Sequence, residues 1–187
     1  MQMIFSGIGG QGILLATRVI GEYALSKGLS VIGSEVHGMA QRGGSVVSHL
    51  KIGNYNSPLV MRGEADLLIA FDWHEGLRNL PFLKEEGIAL LNSDKHSKVE
   101  HPTIESFIRK KRLEVYAVDG YKVALDQLKS PGVLNVVMLG KLSYLMEERF
   151  PPEELKNIIE KIVSPKFKEI NLTAFDLGRK MEIREVI

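Results

Sequence analysis

The sequence contains no cysteine among its 187 residues. That absence excludes disulfides, a thiolate nucleophile, cysteine-ligated zinc and any cysteine-held iron–sulfur cluster on this chain. Charge of either sign is not in surplus: 24 Lys and Arg stand against 23 Asp and Glu, a net charge of +1. A general nucleic-acid coat and polybasic membrane adhesion both need a positive excess, so neither is expected. Long hydrophobic runs are missing as well. The longest, such as Leu67 to Phe71, fall far short of the roughly 20 residues of a membrane span. The opening Met1-Gln2-Met3-Ile4-Phe5-Ser6-Gly7 lacks a basic stretch followed by an apolar one, so secretion is unexpected and a cytoplasmic location is expected. Neither HExxH nor HxxxH occurs, which argues against a histidine metal site, and GxxxxGK[ST] is absent, which argues against a phosphate-cradling ATPase loop.

What is present is distributed unevenly. With 44% hydrophobic and 25% charged residues the composition is that of an ordinary globular protein. Yet residues 1–50 hold only five charged side chains (Arg18, Glu22, Lys27, Glu35, Arg42) and ten of the 18 glycines. A glycine-rich segment so poor in charge is ill suited to face water alone, and glycine lets backbone approach a ligand or another chain closely. No repeat, low-complexity tract or linker divides the chain, so residues 1–187 read as one domain, helical from about residue 133.

Periodicity gives alternating strands and helices. Strands are expected at Gln2–Phe5, Leu29–Ile32, Ser45–Ile52, Leu67–Phe71, Ile88–Leu91 and Leu113–Val118. Helices are expected from Gly10 to Lys27, where Ile13, Ala16, Thr17, Ile20 and Ala24 recur at helical spacing and Gly28 ends the run, and at Gly76–Glu85, Tyr121–Leu128, Val133–Phe150, Pro152–Ile162 and Asn171–Met181. The tail after Gly132 reads as helical and amphipathic. The fold class is therefore α/β, a three-layer Rossmann-like, mostly parallel sheet with C-terminal helices.

Two loops carry the functional signal. Gly7-x-Gly9-x-x-Gly12 follows a strand and opens a helix, as in the dinucleotide fingerprint, and Glu35 falls near the end of the second strand. In that motif Gly7 permits the tight turn, Gly9 clears space for phosphate, and Gly12 lets helix and strand approach. The helix start would also attract an anion. Gln11 is not a residue that such a cofactor requires, and a ligand-free strand-to-helix turn explains the same glycines. The second loop, Ser34 to Gly44, places Glu35, His37, Gln41 and Arg42 among Gly38, Met39, Gly43 and Gly44. In a parallel sheet both loops and Asp72-Trp73-His74 emerge at the carboxyl ends of strands, where open α/β sheets bind their ligands. An Arg withdrawn from water there demands a carboxylate or phosphate, whereas a solvated loop demands nothing. No carboxylate and nucleophile complete a triad with His37. His49 reads as a strand residue satisfied by a neighbour, His74 as a residue at the crevice mouth, and His96 and His101 as members of a surface loop. The basic run Arg109-Lys110-Lys111-Arg112, beside Glu105 and Glu114, reads as a solvated face.

Taken together, Gly7-Ile8-Gly9-Gly10-Gln11-Gly12-Ile13 and Glu35-Val36-His37-Gly38-Met39-Ala40-Gln41-Arg42-Gly43-Gly44-Ser45-Val46 resemble the gamma-type subunit of 2-oxoacid:ferredoxin oxidoreductases. The His-Gly-Met-x-Gln-Arg-Gly-Gly form is nearest to the beta subunit of indolepyruvate oxidoreductase. Asn135-Val136-Val137-Met138-Leu139-Gly140 and Asn171-Leu172-Thr173-Ala174-Phe175-Asp176-Leu177-Gly178 resemble that family's C-terminal helices, so the resemblance spans nearly the whole chain. It implies a complex that decarboxylates a 2-oxo acid oxidatively to its acyl-CoA and passes electrons to ferredoxin. Thiamine diphosphate with Mg and iron–sulfur clusters would belong to a larger partner subunit, with CoA as co-substrate and ferredoxin served indirectly. This chain has neither cysteines for clusters nor the Gly-Asp-Gly and paired Asn that would grip a thiamine diphosphate metal. The resemblance assigns it no catalytic residue and makes the two loops contacts to the partner or to CoA. A stand-alone dinucleotide-binding protein is the competing expectation, and monomer or homodimer remains open for the isolated chain.

Overall fold

Residues Met3 to Gly7 are all buried, an apolar run covered on both sides, and they form the middle of β1 (Gln2–Ile8). The computed structural model describes residues 1–38, 43–94 and 97–187 of the chain. After β1 come α1 (Ile13–Ser26), β2 (Val31–His37), β3 (Ser45–Ile52) and β4 (Ala65–Ala70). Next are α2 (Trp73–Asn79), β5 (Leu83–Asn92), α3 (Pro102–Lys111) and β6 (Glu114–Val118). The last third supplies α4 (Leu134–Leu145), α5 (Pro152–Ile162), α6 (Lys168–Lys180) and the two-residue β7 (Arg184–Glu185).

The strands form one sheet in the order β2-β3-β1-β4-β5-β6-β7. β1, β4, β5 and β6 run parallel, while β3 is antiparallel to both β1 and β2, and β7 is antiparallel to β6. β2 and β3 therefore make a hairpin that widens the sheet beyond β1. Along the central strands alternate residues feed two cores, as the two-residue period of a strand demands. Met3, Phe5, Leu67, Ile69 and Leu90 join the side chains of α1, α4, α5 and α6 on one face. Ile4, Leu68, Ala89 and Leu91 join those of α2 and α3 on the other. Helices on both faces complete the three-layer α/β architecture.

Several boundaries differ from the sequence expectation. β2 begins at Val31 and continues to His37, because pairing from Val31–Ile52 to His37–Val46 keeps the chain extended where a loop was expected from Ser34. The helix expected at Gly76–Glu85 is instead α2, which starts earlier because the Asp72 side chain accepts from the Glu75 amide at 3.0 Å. It ends in a 3-10 turn at Leu80–Phe82 around Pro81, and β5 takes over at Leu83. α3 lies where no helix was expected, started by His101, whose Nδ1 accepts from Thr103 N. The Val133–Phe150 helix stops at Leu145 because Phe150 turns back into the core edge-on to Tyr23, ring centroids 6.0 Å apart. α4 is also not amphipathic. Ten of its residues are buried, on every side, since it runs through the middle of the helical layer. The expected Tyr121–Leu128 helix is a π-helical turn at Lys122–Gln127.

Candidate functional site

The carboxyl ends of β1, β2, β4, β5 and β6 share one edge of the sheet, and the chain braces that edge with side chains rather than leaving it open. Gln11 is the first brace. Its Oε1 accepts from the Ile8 amide at 2.7 Å, and its Nε2 donates to the Phe71 carbonyl at 3.1 Å and the Tyr121 hydroxyl at 2.6 Å. Both amide protons and the carbonyl are thereby used. The side chain folds over Gly7, where a Cβ would lie 2.5 Å from Gln11 Oε1.

Asn92, the last residue of β5, donates to the same Phe71 carbonyl at 3.0 Å and accepts from the Gly120 amide at 2.8 Å. Three strand ends are thus tied through one backbone oxygen. Asn135, buried at the start of α4, donates to the Gly12 carbonyl at 3.2 Å and stands where a Gly12 side chain would go. Gly12 itself is left-handed, φ 77°, and precedes α1 without a side-chain cap. The second loop is joined on by its ends. Gly38 N donates to Ser45 O at 2.8 Å, and Gly9 N donates to Gly44 O at 2.9 Å.

These bonds give the fingerprint glycines a different explanation from the one a dinucleotide would supply. Gly7 makes room for Gln11, Gly12 makes room for Asn135, and Gly9 borders the backbone of Gly43 and Gly44. The strand order disagrees with the fingerprint too. β3 lies between β1 and β2, which sets Glu35 two strand spacings, about 10 Å, from β1. An acidic residue that reads a ribose belongs on the strand beside β1.

The remaining sequence-predicted residues are placed as follows. Glu35 and His37 are exposed on β2, Oε2 to Nε2 3.9 Å apart. Gly10 (φ 103°) and Gly43 (φ 71°) are left-handed turn residues. Met39, Gln41 and Arg42 lie outside the described residues, as does His96. His49 is buried on β3, where its Nδ1 accepts from Val60 N at 3.1 Å; burial and then Lys51 lower its pKa, which suits a neutral acceptor. His74 is exposed in the first turn of α2, at the same edge as the loops. Among the described residues no group of three His, Asp or Glu is arranged to hold a metal ion. Without cysteine the donor set does not fit an iron–sulfur cluster.

Sequence reasoning missed the braces. Asn92 closing an apolar strand, and Asn135 within Val133-Leu134-Asn135-Val136-Val137, were the available signals: lone amides in apolar runs must find buried partners.

The family model described as pyruvate ferredoxin/flavodoxin oxidoreductase matches residues 2–181, and the chain belongs to that family. Within it, the likeness is to gamma-type subunits. The indolepyruvate oxidoreductase subunit IorB of Archaeoglobus fulgidus is 32% identical over 193 residues, covering 98% of this chain and 96% of its own. The crystal structure of pyruvate oxidoreductase subunit PORC from Thermotoga maritima superposes with a TM-score of 0.76 at 26% identity, covering 99% of this chain and 98% of that one. The same fold, at 20% identity and a TM-score of 0.75, recurs in 2-oxoglutarate:ferredoxin oxidoreductase from Magnetococcus marinus. There it covers 96% of this chain but only 30% of the longer one.

Proposed function

We propose that the chain is the accessory subunit of a 2-oxoacid ferredoxin oxidoreductase and that its braced carboxyl edge is turned toward the larger subunit. That subunit carries thiamine diphosphate with Mg and the iron–sulfur clusters, which supply the carbanion and electron-transfer chemistry of oxidative decarboxylation to an acyl-CoA, with ferredoxin as acceptor. The residues of this chain bind and orient; none is assigned a step at the reacting atoms. The observation that carries the reading is the construction of the edge. Its two loops, residues 7–12 and 34–44, are rich in glycine with Glu35 and Arg42 as their only charged residues, the chain's own side chains fill the nucleotide-like turn, and Leu14, Tyr121 and Leu125 stand exposed in the neighbouring turns.

The segment from Glu35 through His37, Gly38, Met39, Gln41 and Arg42 to Gly43 and Gly44 is assigned to the partner contact. A CoA phosphate on the Gly9–Gly12 turn is less favoured, since Gln11 takes the Ile8 amide and Gly44 takes that of Gly9. Substrates of the arylpyruvate class are favoured by the His37-Gly38-Met39-Ala40-Gln41-Arg42 pattern and by the likeness to an indolepyruvate subunit. A cytoplasmic location is proposed with it; among the described residues no helix is long and apolar enough to cross a membrane.

The test is reconstitution. The chain alone is expected to oxidise no 2-oxo acid and to give a flat calorimetric titration with NAD(H). Activity toward indolepyruvate is expected when the larger, iron-containing subunit from the same cells is added. Oxidation of a 2-oxo acid by the lone chain would overturn the reading.

A further inference from the structure

Glu75 is the one buried carboxylate among the described residues. It occupies the third position of α2, and Asp72-x-x-Glu75 spells a capping box. In that motif the second acid turns back to the amide of the capping residue. Here Asp72 does its part, but the Glu75 carboxylate is turned elsewhere: Oε2 accepts from the Ser45 hydroxyl at 2.6 Å and Oε1 from Arg78 Nη1 at 2.6 Å. The Arg78 side chain is 72% exposed and that of Glu75 only 7%, so the charge is compensated from the solvent side while its other oxygen faces into the fold. The Glu75 carbonyl is engaged too, by Asn79 Nδ2 at 2.8 Å.

A buried carboxylate is costly unless its partners are fixed. Its inward partner is Ser45, the first residue of β3 and the point at which the second loop returns to the sheet. Ser45 O receives the Gly38 amide, and the adjoining Gly44 O receives the Gly9 amide. One carboxylate on α2 therefore controls the base of the second loop and, one hydrogen bond further, the first glycine turn.

We infer that Glu75 is a positioning residue for assembly: through Ser45 it sets the two glycine loops in the arrangement that the larger subunit accepts. The inference rests on the proposed role of the carboxyl edge. It touches no substrate and is not a catalytic residue.

The experiment titrates each variant into the larger subunit and reads recovered 2-oxo acid oxidation, giving an apparent Kd and a kcat at saturation. Glu75→Ala and Ser45→Ala are each expected to weaken the apparent Kd at least tenfold, and the double variant to be no weaker than Glu75→Ala alone. Glu75→Gln, which keeps an acceptor for Ser45, is expected to recover most of the affinity. Leu155→Ala serves as the control for stability alone. The Lys27–Glu154 ion pair sets that part of α5 beside the C-terminal end of α1, at the opposite edge of the sheet. Compared at a temperature where both are folded, Leu155→Ala should stay within twofold of the parent. Should Glu75→Ala fail to fold, Ser45→Ala carries the test. Kd values within twofold of the parent for both Glu75→Ala and Ser45→Ala would overturn the inference. Arg42→Glu separates the two levels. If it weakens assembly while Glu75→Ala does not, Glu75 alone is misassigned; if neither has an effect, the edge is not the docking face and both readings fall.

Discussion

Asn135 and Gly12 lie 123 positions apart in sequence and meet through a hydrogen bond of 3.2 Å from the Asn135 amide to the Gly12 carbonyl. The amide stands where a Gly12 side chain would be, and Gly12 is left-handed besides. Gly12→Ala is therefore expected to destabilise the chain by about 2–4 kcal/mol, combining the penalty of a left-handed alanine with overpacking. Asn135→Ala should cost about 1 kcal/mol, because the half-buried Gly12 carbonyl loses its second donor and keeps the Ala16 amide. In the double variant most of the steric part disappears, so its loss should be smaller than the sum of the two single losses. Urea denaturation of the four chains measures the coupling; strictly additive losses would show that the two residues do not interact.

Lys141 gives a pH dependence with a defined sign. Its side chain is buried, and its Nζ donates to the carbonyls of Arg179 at 2.8 Å and Met181 at 2.6 Å, closing the C-terminal end of α6. Burial, followed by the nearby Arg179 charge, brings its pKa from 10.5 down to about 8. Between those values the unfolded chain holds a proton that the folded chain has released, so stability rises with pH across the window, by up to about 3 kcal/mol. The neutral amine still donates to both carbonyls. The difference in unfolding free energy between the parent and Lys141→Met should widen from pH 8 to pH 10.5. A difference that stays constant would mean the ammonium keeps its ordinary pKa.

α4 and α6 approach closely at two glycines. A Cβ on Gly140 would overlap the Phe175 carbonyl oxygen, and one on Gly178 would overlap that of Val137. Because backbone, not a flexible side chain, stands in the way, either Gly→Ala change must push the helices apart. We expect a loss of about 3 kcal/mol at each site, at the upper end for overpacking. Gly132, with nothing within 4 Å of its Cβ position, provides the contrast: Gly132→Ala should change stability by less than about 1 kcal/mol, read from the same melting curves.

Local signals were legible in the sequence where one side-chain period ruled a whole element. Ser45–Ile52 and Pro152–Ile162 have the boundaries that their patterns suggest, and His49 has the neighbour expected of it. The direction of β3 was not legible, since apolar alternation reads the same whichever way the strand runs. Its antiparallel pairing is what carried β2 on to His37 and moved Glu35 away from β1. Phe150 shows a second limit. Helical propensity continues through Glu147 and Glu148, and only the ring's burial against Tyr23 says that the helix has already ended. At the candidate site the glycines were visible but their reason was not, because Gln11 and Asn135 act on them through space. Glu75 drew no attention in the sequence, since its partner Ser45 lies 30 residues away and meets it only in the fold.

The debt of the first glycine turn to Asn135 bears on how the protein is made. A ribosome delivers Gly12 long before it delivers the helix that locks it, so the edge proposed to face the larger subunit cannot take its final shape until α4 has been made. Under the proposed assembly, chains cut short before α4 should fail to bind the larger subunit.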